Sequence, residues 1–250
     1  FAFTKAAGRN LSLVGGAIIS IAGYAVKASM DMEQARVSFT TLLKSGEKAK
    51  KFVADLQAFA AATPFEFFDL QKQAKGLLAF GFAARDAIPM LTTLGDAVGA
   101  LGGGSEMIER VTRAMGQMKA KGKPAMEELL QMGEAGIPVF QILKTELGMS
   151  GDQIANIARS GKSADEVIQA LLRGMKKLYG GGMAQQSKTG GGMLSNLQDM
   201  MFQIRVTIGD VILPMVNKAI PRITALLEKL NAFAKTQVGK TFVAIGIGIG

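Results

Sequence analysis

The chain contains no cysteine, no histidine and no tryptophan, and each absence excludes a kind of chemistry. Without cysteine the chain has no disulfide bond of its own, no thiolate ligand and no thiol nucleophile. Without histidine it lacks the commonest general base, the commonest zinc ligand and every Ser-His or Cys-His pair. We therefore predict a protein that is not an enzyme, with no catalytic residues, no cofactor, no metal and no small-molecule substrate.

Aromatic residues are also scarce, at 6%, and there are only six prolines. The composition is instead 48% hydrophobic and rich in alanine, leucine and methionine, which favours an all-α fold. The chain carries 29 basic and 20 acidic residues, a formal net charge of +9. Such a charge favours acidic protein surfaces, nucleic acid or anionic lipid as partners, although it is spread along the chain.

Two apolar segments frame the chain. Residues 1–28 form a predicted apolar helix, in which the sixteen uncharged residues Leu11–Val26 fall just short of the roughly 20 that cross a bilayer. Its small-residue face would allow close helix packing in a membrane or in a soluble core: Gly16, Ser20 and Gly23. Residues 236–250 resemble the start of a second apolar segment. The chain begins without methionine and ends inside this run, so we expect a piece of a longer polypeptide.

Residues 29–179 show apolar side chains at steps of three and four, which predicts a compact all-helical domain. Local capping signals divide it into helices. Thr63 and Glu66 form a capping box that predicts a helix starting at Pro64. Further capping boxes, Ser150 to Gln153 and Ser163 to Glu166, predict two more helix starts.

Two motifs in this domain resemble catalytic or binding sites and are better explained by helix structure. Gly161-Lys162-Ser163 resembles the end of a phosphate-binding loop, but Asn156 stands where the first glycine belongs and the preceding residues are helical. The carboxylates Glu127-Glu128 are adjacent, so on a helix they point about 100° apart and cannot flank one bond. Several phenylalanines around a helix corner are best explained as core: Phe59, Phe65, Phe67, Phe68, Phe80 and Phe82.

Residues 180–193 contain two glycine triplets, which predict a flexible hinge: Gly180, Gly181, Gly182, Gly190, Gly191 and Gly192. After the hinge, 194–235 form a predicted amphipathic helical stem, with a kink at Pro214. Apolar residues at steps of three and four line the stem and indicate either a coiled-coil seam for self-association or a well-buried face: Leu194, Leu197, Met201, Ile204, Ile208, Val211 and Met215.

The serial order of four segments resembles the tail tape measure proteins of long-tailed bacteriophages and related prophages. These segments are "TPFEFFDLQKQAKGLLAFGF", "LTTLGDAVGALGGG", "RAMGQMKAKGKPAMEELLQMGEAGIPVFQILKTELG" and "GGGMAQQSKTGGGMLSNLQDMMFQIRVTIGDVILPMV". The resemblance covers roughly residues 29–230. It implies a mostly helical structural protein of the virion that lies inside the tail tube or tail tip, templates tail assembly and sets tail length.

The resemblance also implies partners and a place of action. It implies self-association in a few copies, for example as a trimer, and contact with the tail tube protein and with tail tip or baseplate proteins. It further implies departure ahead of the DNA at ejection, contact with the end of the phage DNA, and a channel in the host cell membrane. Because 29–179 is broken by glycine or proline at short intervals, we expect a folded module of the tape measure rather than its extended ruler.

Two other functions fit parts of the sequence. Apolar segments around a basic helical body are also typical of a membrane-active toxin or pore-forming protein. A transglycosylase-like helical enzyme is a weaker alternative, because it needs an acid held in apolar surroundings and the pattern shows none.

Overall fold

The computed structural model describes residues 2–236, and it describes side chains from Gly23 onward except that of Ala234. Within these residues the chain forms helices and no strand, so the all-α prediction is confirmed. The helices are α1 (Ala2–Leu43), α2 (Gly46–Ala61), α3 (Phe67–Ala79), α4 (Ala84–Ala100), α5 (Ser105–Lys121), α6 (Met126–Glu134), α7 (Val139–Leu147), α8 (Gly151–Ala155), a 3-10 helix (Ile157–Arg159), α9 (Ala164–Tyr179), α10 (Gly182–Gln186) and α11 (Gly190–Lys235).

The chain divides into two compact units. One, which we call the body, is 33–202; the other, the helix pair, is 1–32 with 203–250. The divisions fall inside α1 and α11, because both helices contribute residues to both units. The sequence instead places its divisions at 28/29 and at the glycine-rich segment 180–193.

The body is organised around α4, which packs against α3, α5, α9 and α10. Helix α7 in turn packs against α9, and α6 packs against α5. Fully buried apolar side chains fill the space between these helices and include Leu56, Leu77, Leu91, Leu94, Ile108, Met115, Met118, Leu129 and Met132. Burial of this kind is the main source of stability for a set of short helices, because isolated helices of this length are marginal in water.

Local signals set several helix boundaries in the body. The side chains of Ser45, Ser150 and Ser163 accept hydrogen bonds from backbone amides in the first turns of α2, α8 and α9. Both capping boxes predicted at Ser150 and Ser163 are present. Helices α5 and α7 end at Gly122 and Gly148, whose φ angles of 68° and 63° are favourable only for glycine among common residues.

The predicted start of α3 at Pro64 is wrong. Helix α3 begins at Phe67, and its N-cap residue, Glu66, makes no side-chain capping bond. The hydroxyl of Thr63 donates to the carbonyl of Ala60 in the preceding helix, and the N-cap position of α3 is occupied by Glu66 rather than by Thr63. The local capping box therefore does not form.

The helix pair is held by a close crossing between α1 and α11. Gly209 lies so close to the backbone of Ala25 that a Cβ there would overlap the Ala25 carbonyl oxygen. Beside this contact the Ser29 hydroxyl donates to the carboxylate of Asp210. The Arg205 guanidinium lies 5.8 Å from the centre of the Tyr24 ring. Small residues thus bring the two helices together, and polar contacts flank the crossing.

Helix α11 continues through Pro214 and Pro221 without ending or restarting. Among the helices of the described range, none is long and apolar enough to cross a membrane. The prediction of a transmembrane helix therefore finds no support in this part of the chain. Of the second predicted apolar segment, 236–250, all but the first residue lies outside the described residues.

Candidate interaction surfaces

The last glycine of the first triplet, Gly182, is packed against α4, and most of the predicted hinge is helical. A Cβ at Gly182 would overlap the carbonyl oxygen of Asp96 and lie 2.8 Å from the amide nitrogen of Ala100. The Met183 amide donates to the Asp96 carboxylate at 3.1 Å, and the Gln186 side chain donates to the Gly103 carbonyl at 2.9 Å. Helix α10 is thus attached to α4 by backbone approach, which only glycine permits at this position.

The second triplet is used differently. Gly190 and Gly191 open α11 with no atom within 4 Å of the position that a Cβ would take, whereas a Cβ at Gly192 would lie 2.7 Å from the Cα of Ser187. The two remaining glycines, Gly180 and Gly181, join α9 to α10, and Gly181 has a φ of 86°. The six glycines predicted as one hinge therefore divide into a turn, two close contacts and a helix start.

The predicted seam of α11 is exposed along its whole length. Its residues are between 39% and 72% exposed: Leu194, Leu197, Met201, Ile204, Ile208, Val211 and Met215. Of the two alternatives stated for this stripe, the well-buried face is excluded within the described residues. Self-association through the seam stays a prediction.

The buried positions of α11 lie on a different face and follow their own helical steps. In the body, Gly192 and Asp199 are buried, and in the helix pair Val206 and Gly209 are buried. Glycine and aspartate are invisible to a search for apolar periodicity, so no sequence signal marks this face. This face makes close backbone contacts at its two glycines and carries one buried acid, Asp199.

Two residues of the predicted small-residue face, Gly16 and Ser20, lie outside the range in which side chains are described. Gly23 is exposed, and no atom lies within 4 Å of the position a Cβ would take. The small residues found at a helix crossing are Ala25, Ser29 and Gly209, which the apolar pattern of the sequence does not select.

Glu128 is a buried acid that sequence reasoning missed. Its side chain is fully buried in α6, where one carboxylate oxygen pairs with the ammonium of Lys121. The other oxygen, Oε2, has no hydrogen-bond partner within the described part of the chain. The hydrogen bond to Glu128 raises the pKa of Lys121. Neighbouring Glu127 is exposed and 3.9 Å from the same ammonium, so the two acids share a cation rather than a substrate position.

The phosphate-loop motif has the structural role expected from its helix context. Ser163 caps α9, and the Lys162 ammonium pairs with Glu166 at 3.2 Å. The Ser163 amide also donates to the Glu166 carboxylate at 2.9 Å. This bond above all, and then the bond from Lys162, holds the pKa of Glu166 below its usual value. In the residues that the structure describes, no group of three or more acidic side chains is arranged to hold a metal ion.

Asp199 connects α11 to the N-terminus of α3. It is only 5% exposed, and its Oδ1 accepts a hydrogen bond from the Phe67 amide at 3.3 Å. Burial raises the pKa of Asp199; the Phe67 hydrogen bond opposes that rise, and Glu66 and Asp69 add to it. The cap that Thr63 does not provide thus comes from Asp199, which lies 132 positions after Phe67 in the chain.

An open cleft of about 580 Å³ lies between α2 and α4. Its floor includes Phe52 and Ile88, and its rim carries the cations of Lys48 and Arg85. The acid at its edge, Asp55, is already paired with Lys51 at 2.9 Å. The lining of this cleft therefore combines apolar side chains with basic ones.

The described part of the chain is all-helical, with a packed body, an exposed apolar helix face and a basic cleft. Comparison with known families gives the class a name. The family model described as "Tape measure protein" matches residues 23–210, and the chain belongs to this family.

Curated relatives agree with the family. A Mu-like prophage FluMu protein gp42 of Haemophilus influenzae is 31% identical over 176 residues, which cover 70% of this chain and 27% of that protein. Probable tape measure proteins of Lactococcus phages p2 and SK1 are each 24% identical over 242 residues, which cover 93% of this chain and 23% of each protein. The chain thus spans about a quarter of the length of these relatives. No solved structure matches it.

Proposed function

We propose that this chain is a folded module of a phage tail tape measure protein. We propose that the module acts in tail assembly through self-association, and that it is not an extended helix whose length sets the length of the tail. Family membership supports the tail role and favours it over the toxin and the transglycosylase-like enzyme. The packed body supports the folded module, because a ruler needs extended helix and 33–202 instead folds back on itself around α4. The tail tube protein and tail tip or baseplate proteins are the proposed partners.

The observation that carries self-association is the exposure of the seam. Val211 is 72% exposed and Met215 is 69% exposed, and both lie on the same face of α11. A row of exposed apolar side chains at heptad-like spacing is the arrangement that parallel helices bury against one another. A second or third copy of this chain supplies a matching row without any further partner.

The test is the oligomeric state of the purified chain, measured by light scattering over a range of concentrations. We expect multimers for the unaltered chain and monomers for the double variant Val211→Asp with Met215→Asp. Asn217→Asp is the matched control, because it adds the same kind of charge at an exposed position on another face of α11. Multimers that persist in the double variant, or a monomer in the unaltered chain, would refute the seam.

A second experiment separates the folded module from a ruler. As a continuous helix, 33–202 would span about 250 Å at 1.5 Å per residue. We expect that deletion of this stretch in a phage carrying the chain blocks tail formation or leaves tail length unchanged. Tails shortened by about 250 Å in electron micrographs would show that the stretch is measured as extended helix.

The proposal also includes the ejection step, where the family resemblance implies contact with the DNA end and the host membrane. The +9 net charge supports contact with polyanions. Dye release from anionic liposomes measures the membrane part, with a variant lacking 1–27 and 241–250 as the comparison. Release that depends on these segments is the expected result, and equal release by both proteins would contradict their involvement.

A further inference from the structure

The N-terminus of α3 has an unusual cap. The N-cap residue, Glu66, makes no side-chain bond to the helix, and the Phe67 amide instead donates to Asp199 of α11. Because the first amides of a helix have no partner inside it, a remote acceptor at this position fixes two distant parts of the chain to each other. Within the body, Asp199 therefore attaches the segment 190–202 to α3.

The carboxylate of Asp199 has few hydrogen-bond donors for a buried charged group. Its Oδ2 is buried and has no hydrogen-bond partner in the described part of the body. A buried carboxylate ordinarily needs two or three donors to keep its charge at little cost, and this one has a single donor at 3.3 Å. The acids that bear on it, Glu66 and Asp69, belong to the same helix start and repel a second negative charge.

The surroundings of the contact are aromatic. Phe202, one helical turn from Asp199, lies against Phe67 and Phe68 of α3, with ring centres 6.1 and 4.9 Å apart. Asp199 itself is only 5% exposed beside these rings, and low exposure to water strengthens the penalty for a buried charge. They also continue to hold 190–202 against α3 when the charge of Asp199 changes, so the carboxyl adjusts the strength of an existing contact.

We propose that Asp199 and the N-terminus of α3 form a proton-dependent clasp, which holds 190–202 of α11 against α3 more firmly in acid than at neutral pH. Protonation keeps Oδ1 as an acceptor for the Phe67 amide and removes the unpaired charge. Because burial raises the pKa of Asp199, the docked state binds more protons than the released state. Docking therefore weakens as the pH rises through that pKa. The clasp does not depend on the tape measure role.

Hydrogen exchange of the backbone amides in 190–202 and of Phe67 tests the clasp, after correction for the intrinsic pH dependence of exchange. As the pH falls from about 7.5 to about 4.5 we expect protection in the unaltered chain to increase, and the full increase, roughly tenfold for each unit by which docking raises the pKa, is reached only below the ordinary pKa of aspartate. Asp199→Asn mimics the protonated form, so its protection should be high at both pH values. Asp152→Asn, an exposed acid of the body, is the matched control and should behave as the unaltered chain.

A second measurement keeps the test independent of any folding defect in the variants. The pKa of the Asp199 carboxyl, followed by carbon-13 NMR in the unaltered chain, should lie above the ordinary value for aspartate. A pKa at or below the ordinary value would overturn the proposal. So would an Asp199→Asn variant that keeps the pH dependence of the unaltered chain.

Discussion

In the body, the apolar side chains of Leu91 and Leu94 on α4 are almost fully buried, whereas Val211 and Met215 of the helix pair are more than two-thirds exposed. Both sets follow the same steps of three and four along a helix. Periodicity therefore identifies the amphipathic helix in each unit, but it does not tell whether the chain itself supplies the opposing surface. In the body other helices supply it; along the described part of α11 in the helix pair, the row stays exposed.

The largest effect should come from a cavity in the body. Leu91→Ala removes a fully buried side chain at the centre of α4 and should lower the free energy of unfolding by about 2–5 kcal/mol. Val211→Ala, at an exposed position of the helix pair, should change it by less than about 0.5 kcal/mol. Urea denaturation of each variant at low protein concentration measures both values. Equal losses of stability in the two variants would contradict the conclusion that the apolar row is buried in the body and exposed in the helix pair.

A smaller loss is expected where the body depends on glycine. Gly182→Ala places a methyl group against the backbone of Asp96 and Ala100, which cannot move aside as a side chain can, and should cost about 1–3 kcal/mol. Gly190→Ala is the control, because it begins α11 with open space around it and should be neutral or slightly stabilising. If both variants lose stability alike, the first triplet does not differ from the second.

The next effect concerns a helix cap. Ser163→Ala removes the acceptor for the Glu166 amide at the start of α9 and should cost about 1 kcal/mol. Ser105→Ala is a matched control, since Ser105 is the first residue of α5 and has no capping bond there. Thermal unfolding followed by circular dichroism compares the two. A larger loss for Ser105→Ala would show that sequence-based capping signals are misplaced in this body.

The smallest effect is a dependence on pH. Hydrogen bonds from Lys177 and then Arg173, at 2.7 and 3.2 Å, hold the pKa of Glu146 below its usual value. The folded state thus binds fewer protons, so this contribution to stability is present above the ordinary pKa of glutamate and is lost as the pH falls through the lowered one. Glu146→Gln should flatten that part of the curve of melting temperature against pH. An unchanged curve would mean that the ion pairs contribute nothing in solution.

Helix content and the helix starts at Ser150 and Ser163 were accessible from the sequence because their causes are local. The boxes at Ser150 and Ser163 depend on residues within one turn, and the structure has both of them. The same local logic failed at Thr63, because the acceptor that caps α3 is Asp199. A contact over 132 positions leaves no trace in a window of four residues.

The candidate surfaces were only partly accessible, for a related reason. The apolar row of α11 stands out in the sequence, but the residues that make its close contacts are Gly192 and Gly209, which a hydrophobic pattern cannot reveal. Helix α10 was missed because glycine triplets are typical of flexible chain. Gly182 instead allows close contact with α4. A glycine used for flexibility and a glycine used for close contact look the same in the sequence, and only the position of α4 distinguishes them.

The crossing of Gly209 with Ala25 also fixes an axial alignment. One residue inserted into α11 between the crossing and Asp210 would turn the following residues by about 100° and shift them by about 1.5 Å. The Asp210 carboxylate would then leave the Ser29 hydroxyl, although no side chain had changed. Within the helix pair, the crossing is thus a place where α11 cannot gain or lose a single residue without loss of this contact.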